Sequence, residues 1–250
     1  MHTYIITGAS KGIGFSLAKQ LIIEGNELIC IARTTNEKLK QLAKAKNVPL
    51  TFIQCDLANL PDVANLMDKI IGSIKNSPSS VTLINNAGII EPIGRVENNG
   101  AEKIAKNIAV NLTAPMILTS EFINTFRESN IDKKVINISS GAGRKPYSGW
   151  SSYCSSKAGL DHFTRVIDVE QRDKPYGVKA ISLAPGIIDT DMQTKIRQSD
   201  KSEFERVETF IQYKEKGELS SPDQTAAKII EIMKRTDFRL LDPILDLRNF

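Results

Sequence analysis

Tyr153 and Lys157 stand four residues apart in the stretch SSYCSSK, Ser151–Lys157. On a helix that spacing puts a phenol and an ammonium on one face, one turn apart. Alone, such a pair is ordinarily an incidental surface contact, and its weight comes from the rest of the chain. Near the N-terminus, TGASKGIG sets Gly8, Gly12 and Gly14 in a Gly-x-x-x-Gly-x-Gly turn behind an apolar run. Gly8 permits a sharp turn, Gly12 lets backbone approach a pyrophosphate, and Gly14 lets the following helix pack close to a sheet. Free N–H groups at that helix start can hold phosphate. There is no Walker A pattern, which disfavours nucleoside triphosphate hydrolysis.

The second apolar run ends in CIARTT, with Ala32 followed by Arg33. An acid at this place would accept hydrogen bonds from the adenosine ribose hydroxyls and mark NAD. Arg33, with Lys11 in the Gly-rich turn, suits a 2′-phosphate instead, so the expected cofactor is NADPH/NADP+. Asp56, after the third apolar run, could meet the adenine amino group or serve as a turn or cap residue.

The elements that must position these groups alternate. Strands are expected at Thr3–Thr7, Glu27–Ala32, Leu50–Cys55, Val81–Asn85, Lys133–Ser139 and Val178–Leu183. Between them, helical spacing covers Ile13–Glu24, Asn36–Lys46, Leu60–Lys75 and much of Glu102–Arg127, the last bent or interrupted by Pro115. A further helix is expected over Ser151–Gln171, carrying the phenol and the ammonium. Ser221-Pro222-Asp223-Gln224 reads as a capped helix start, running to about Arg235. Leu241–Leu247 could add an edge strand whose pairing Pro243 limits. Strand-helix alternation with apolar, unalternating strands predicts an α/β fold: a Rossmann-type, doubly wound parallel sheet with helices on both faces, in one domain over 1–250.

Composition agrees with a globular domain: 41% hydrophobic and 25% charged over 250 residues. The net charge of +4 is spread rather than clustered, so neither nucleic acid nor a membrane surface is an expected partner. Cys30, Cys55 and Cys154 form no C-x-x-C, and His2 and His162 lie far apart, so no metal site is expected. The start, MHTYIITGAS, lacks the cationic and cleavage features of a signal peptide. No apolar run reaches about 18 residues. The expectation is a cytoplasmic protein with reduced, buried thiols.

TGASKGIG, NNAG (Asn85–Gly88), Asn111, Ser139, Tyr153-x-x-x-Lys157 and Pro185-Gly186 follow the order and spacing of the short-chain dehydrogenase/reductase family. The resemblance spans nearly the whole chain. INISSGAG, GWSSYCSSKAG and APGIIDTDMQ look like the sepiapterin reductases and the bacterial benzil reductases related to them. The resemblance implies that Tyr153 is the general acid, giving its proton to a carbonyl oxygen as hydride reaches the carbon. A phenol of pKa about 10 needs help to exchange a proton near neutrality. A cation at about 4 Å is worth up to roughly 4 kcal/mol, enough to bring that pKa toward 7 before burial opposes it. Lys157 would also hold the nicotinamide ribose, Ser139 would hydrogen-bond the substrate carbonyl, and Asn111 would support a water relaying protons to Lys157.

By the same match, Gly8, Ser10, Lys11, Gly12, Ile13 and Gly14 form the cofactor turn, with Arg33, Asp56 and Leu57 beyond it. Asn85, Ala87 and Gly88 would line the adenosine side. Pro185, Gly186, Ile188 and Thr190 would bracket the nicotinamide, the Ile188 backbone meeting its carboxamide. Tyr147, Trp150, Met192 and Gln193 are candidates for the substrate pocket, and residues 190–215 for a lid over it. Asp246 is a candidate anchor for pterin amino groups; without it, a neutral 1,2-dicarbonyl is the better substrate. The implied activity is NADPH-dependent reduction of a small-molecule ketone, on a pterin side chain or beside a second carbonyl, by a homodimer or homotetramer. Two alternatives stay open: a reductase of 3-oxoacyl thioesters, which would carry a basic patch at the pocket mouth, and a nucleotide-sensing protein without turnover.

Overall fold

Apolar strands without alternation need cover on both faces, and the chain supplies it. The computed structural model describes all residues, Met1–Phe250. Its first half runs β1 (His2–Thr7), α1 (Gly12–Leu21), β2 (Asn26–Ala32), α2 (Glu37–Ala45), β3 (Leu50–Gln54), α3 (Leu60–Ala64), α4 (Leu66–Ser73) and β4 (Ser80–Asn85). The second half continues with α5 (Ala101–Ile108), α6 (Ala114–Phe126), β5 (Asp132–Ile138), α7 (Ser151–Gln171) and β6 (Lys179–Ala184). It closes with α8 (Asp191–Arg197), α9 (Val207–Glu215), α10 (Pro222–Lys234) and β7 (Ile244–Asp246).

The strands form one sheet in the order β3-β2-β1-β4-β5-β6-β7, with every pairing parallel. This is the doubly wound, single-domain α/β architecture expected from the sequence. One face packs on α1, α2 and α10, through Leu17, Leu39 and Ile229. The other packs on α3, α4, α6 and α7, through Val63, Ile70, Phe122 and Ile167. Every residue of β2 and β6 is buried. The strand order reverses between β1 and β4, so a crevice opens there at the carboxyl ends of the strands.

Three details differ from the sequence reading. The helix expected over Leu60–Lys75 breaks at Asn65, whose Nδ2 donates to the Pro61 carbonyl at 3.0 Å and competes with the backbone ladder. The Glu102–Arg127 helix keeps its course but widens to a π turn over Ala109–Thr113, just before Pro115, which has no N–H to give. The last strand is only Ile244–Asp246: Pro243 serves as an acceptor, its carbonyl taking the Ser182 N–H at 2.7 Å. At the start of α10, Ser221 Oγ accepts the Gln224 N–H while the Gln224 side chain accepts the Ser221 N–H, a complete capping box.

Candidate active site

A cleft of about 700 Å³ follows the carboxyl ends of the strands from the Gly-rich turn to the aromatic side chains beneath α8 and α9. At its first end the backbone is tightly drawn. Gly8 has φ +67°, and a Cβ there would meet the Ala87 Cα at 2.9 Å. A Cβ on Gly14 would sit 2.4 Å from the Gly8 carbonyl oxygen, so only glycine lets α1 start here. No side chain caps α1, and its first turn holds no acid. Its leading N–H groups therefore remain free for an anion.

Ser10, Lys11, Ile13, Arg33, Asp56 and Leu57 all line this half of the cleft. Arg33 is exposed and has no carboxylate within ion-pair distance. Lys11, by contrast, is held by Asp191 at the start of α8, at 2.7 Å. Asp56 Oδ1 accepts the Ala58 N–H at 3.1 Å, closing the turn that leads into α3. Across the cleft lie Pro185, Gly186, Ile188 and Thr190, with Ala87 and Gly88 between them and the turn. Ser220 bridges to the neighbours of Ile188, accepting from the Asp189 N–H (3.0 Å) and donating to the Ile187 carbonyl (3.1 Å). The N–H and C=O of Ile188 itself therefore face away from Ser220. A turn with no room for side chains, an uncapped helix start and a presented peptide edge fit a dinucleotide.

The helix α7 brings the phenol and the ammonium to the middle of the cleft. Tyr153 is 7% exposed and Lys157 3%. Lys157 Nζ donates to the Ile138 carbonyl at 2.8 Å and sits 5.7 Å from the centre of the Tyr153 ring. Burial pushes the Tyr153 phenol up to about 12, with the Ser140 side chain pulling the other way. Burial pushes the Lys157 ammonium down to about 8, with Asp161 opposing. The expected acidification of the phenol by the ammonium is thus not what the structure holds. Desolvation dominates both groups, and the ammonium is turned to a backbone carbonyl.

Beyond Tyr153 lies an aromatic layer. Trp150 stacks on Phe204 at 4.7 Å, meets Tyr153 edge-on at 5.9 Å, and touches Tyr147 and Phe210 at 5.0 and 5.3 Å. Met192 and Gln193, on α8, line the same end. Asp246 also lines it, but Arg248 grips its carboxylate at 2.6 and 2.8 Å, and Arg144 approaches to 3.8 Å. Arg248 holds the Asp246 carboxyl below the usual carboxylate range.

Residues 2–201 match the family model described as short chain dehydrogenase. The chain belongs to the short-chain dehydrogenase family. It is 42% identical to a benzil reductase ((S)-benzoin forming) of Bacillus cereus, over 95% of this chain and 96% of that one. It is 30% identical to a sepiapterin reductase of Xenopus laevis, over 96% and 93% of the two chains. Among solved structures, the KRED1-Pglu enzyme superposes with a TM-score of 0.84 at 26% identity, covering 98% of this chain and all of that one. Short-chain dehydrogenases work with nicotinamide cofactors, and this one is a carbonyl reductase, an oxidoreductase of the C=O/CH–OH pair.

In this short-chain dehydrogenase two expected site residues have side chains bonded inward, and each has a neighbour that lines the cleft. Ser139 borders the cleft, but its Oγ donates to the Lys157 backbone carbonyl at 3.5 Å rather than to the phenol. Asn137, two residues earlier and therefore on the same side of the strand, likewise reaches Thr164 of α7. Ser140 continues extended (φ −160°, ψ 156°), so its side chain takes the opposite side and meets Tyr153. The strand's alternation was the signal that separates the two serines. Asn85 is also turned inward, donating to Thr119 Oγ1 and Asn137 Oδ1 at 3.1 and 2.8 Å. Asn86 is the one that lines the cleft, its amide donating to the Thr7 carbonyl at 2.9 Å.

Asn111 lies behind the cleft wall, fully buried. Its amide donates to the Ile89 carbonyl (2.8 Å), Asn107 Oδ1 (3.0 Å) and Ser156 Oγ (3.2 Å), and its Oδ1 accepts the Ile89 N–H (2.9 Å). Asn107 and Ser156 complete that network, and the Asn-x-x-x-Asn spacing of 107 and 111 was its trace in the sequence. Its side chain is spent on positioning the 89–91 loop. Its carbonyl lacks the usual donor four residues on, because that residue is Pro115. A Cβ added at Gly88 would lie 3.3 Å from Asn111 Oδ1 and 3.6 Å from Lys157 Nζ, so only a glycine's width separates the two.

Proposed function

We propose that this chain is an NADPH-dependent reductase of 1,2-dicarbonyl compounds, with benzil-like diketones as its substrate class. The observation that carries the reading is the buried Tyr153 phenol, with Ser140 beside it and an aromatic layer around it. A phenol at about 12 stays protonated throughout the neutral range. It can therefore hand its proton to a carbonyl oxygen that is becoming an alkoxide, a stronger base than phenolate. Ser140 donates a hydrogen bond to the same oxygen and stabilises the charge that grows there. The nicotinamide, when bound, supplies the hydride. Lys157 returns a proton to the phenolate, and a water accepted at the Asn111 carbonyl, which Pro115 leaves without its usual donor, would return one to Lys157. Lys157 also holds the cofactor ribose.

Arg33 favours NADPH, since it ends β2 with no acid beside it. Asp246 favours a dicarbonyl over a pterin, because its carboxylate is already taken by Arg248 and Arg144. Trp150, Tyr147 and Phe210 line the cleft and give an aryl ketone flat apolar partners, with Phe204 stacked behind Trp150. The segment of residues 190–215, carrying α8 and α9, closes over that layer as a lid. Exposed Met116 on α6 and Val166 and Val169 on α7 support a homo-oligomer built on those helices. No helix is long and apolar enough to cross a membrane, and the three cysteines are unpaired, which supports a reducing, cytoplasmic setting.

The test is optical: NADPH oxidation against benzil, simple diketones, sepiapterin and an acetoacetyl thioester, for the native chain and for Tyr153→Phe. Diketone turnover that collapses in Tyr153→Phe, with NADPH binding intact, supports the reading. Turnover of the thioester alone, or of nothing in the panel, rejects it.

A further inference from the structure

The cations of the cleft are not all accounted for by a dinucleotide and a proton transfer. At the substrate end, Lys195 is paired with Glu91, and Arg248 and Arg144 share Asp246, Arg144 also reaching the buried Asp161 at 3.1 Å. Lys106, Lys145 and Arg206 line the same end, all exposed and none within ion-pair distance of a carboxylate. They come from three separate elements: α5, the loop before α7, and the start of α9. Arg206 is fixed in place, its guanidinium carbon 5.1 Å from the centre of the Tyr147 ring. Tyr147 in turn touches Trp150, which meets Tyr153 edge-on. Lys145 is tied to the same wall, its carbonyl contacting the sulfur of Cys154, the residue after the phenol.

We infer that the physiological substrate bears an anionic group, a carboxylate or phosphate, set several bonds from the reacting carbonyl and held by Lys145 and Arg206, with Lys106 opposite. The inference rests on the dicarbonyl reading and narrows it to charged members of that class. A single dehydrated ion pair is not required. Two solvent-exposed cations in an aqueous cleft give a modest, screenable attraction, and the aromatic side chains between Arg206 and Tyr153 set the spacing. The cations stand on the cleft walls, and Arg206 is one aromatic ring, Tyr147, from Trp150. That favours a group carried on the substrate itself over an acidic carrier protein docked outside.

A matched pair tests this: benzil, and benzil carrying one para-carboxylate. The expected result is a kcat/KM for the carboxylate about tenfold above that of benzil at low salt. The ratio should return toward one at about 1 M salt, where the screening length is roughly 3 Å. In Lys145→Glu/Arg206→Glu the ratio should fall below one at low salt. Because each protein is compared with itself, general damage to the variant cancels. Benzil reduced with no advantage for its carboxylate, or an advantage insensitive to salt and to the two substitutions, overturns the inference and leaves the dicarbonyl reading standing. No reduction of either compound overturns the reading beneath it. A preference for an oxoacyl group on an acidic carrier protein, lost in the same variant, overturns the small-molecule assignment.

Discussion

Replacing Lys157 by Met should make the folded protein more stable at neutral pH and less stable at high pH, while removing its activity. The native ammonium is almost fully buried, and burial lowers it from its ordinary 10.5 to about 8. At about 1.4 kcal/mol per tenfold, that fall corresponds to about 3 kcal/mol of penalty for keeping the charge in the fold. Below pH 8 the group is charged in both folded and unfolded chains, and the whole penalty is present. Between about 8 and 10.5 the folded chain has given up its proton while the unfolded chain still holds one, so native stability climbs with pH. Methionine has nothing to titrate there. It forfeits the hydrogen bond to the Ile138 carbonyl, worth about 1–2 kcal/mol. The variant should therefore gain about 1–2 kcal/mol at pH 7 and lose a similar amount by pH 10.5, the two stability curves crossing between. Urea unfolding at 25 °C, followed by the fluorescence of the single tryptophan in its aromatic cluster, reads both curves. Other groups titrate alike in the two proteins and cancel in the difference. A variant that is less stable at pH 7, or a difference that does not change with pH, would refute the claim that desolvation governs this lysine.

Three further outcomes are expected. Ser140→Ala should lower kcat by about 10²–10³, as loss of a hydrogen bond to a forming oxyanion does, while Ser139→Ala should stay within a few-fold of native; equal effects would remove the distinction between them. Arg33→Asp should lower the NADPH/NADH ratio of kcat/KM by at least about tenfold, measured side by side with both cofactors, since it replaces an unpaired cation by an acid that ribose hydroxyls can use. Trp150→Ala should cost about 3–5 kcal/mol in chemical denaturation, because the indole is 4% exposed and sits among four other rings.

The fold was legible because its determinants are local. Unalternating apolar runs such as ELICIA and glycines where strand meets helix state a parallel sheet in short windows of sequence. The helix over Ser151–Gln171 and the box at Ser221 and Gln224 were readable for the same reason. Where a side chain competes with the backbone the window fails. Asn65 breaks a helix by bonding back to Pro61, and nothing in the apolar periodicity of that segment announces it. The reach of β7 was misjudged because its start depends on a partner, Ser182, more than sixty positions away.

The site was legible to the level of a segment and not always to the atom. Ser139 and Ser140 are chemically identical and adjacent, and only the side of the strand separates them. That side is set by α7, which draws Asn137 and Ser139 toward Thr164 and the Lys157 carbonyl and leaves Ser140 to the cleft. The same helix carries Tyr153 and Lys157, so one packing decision places every group that touches the proton. Spacing alone also misassigned the source of the phenol's behaviour. A cation one helical turn away suggests acidification, but both side chains are buried, and burial acts on each in the direction of neutrality. A phenol held neutral is a proton donor at every neutral pH, so it suits reduction, where a proton must be given. The reverse reaction needs phenolate and should quicken as the medium becomes alkaline. The proton-donating state of this site at neutral pH therefore follows from how deeply α7 sinks its first two turns, a property that no four-residue motif contains.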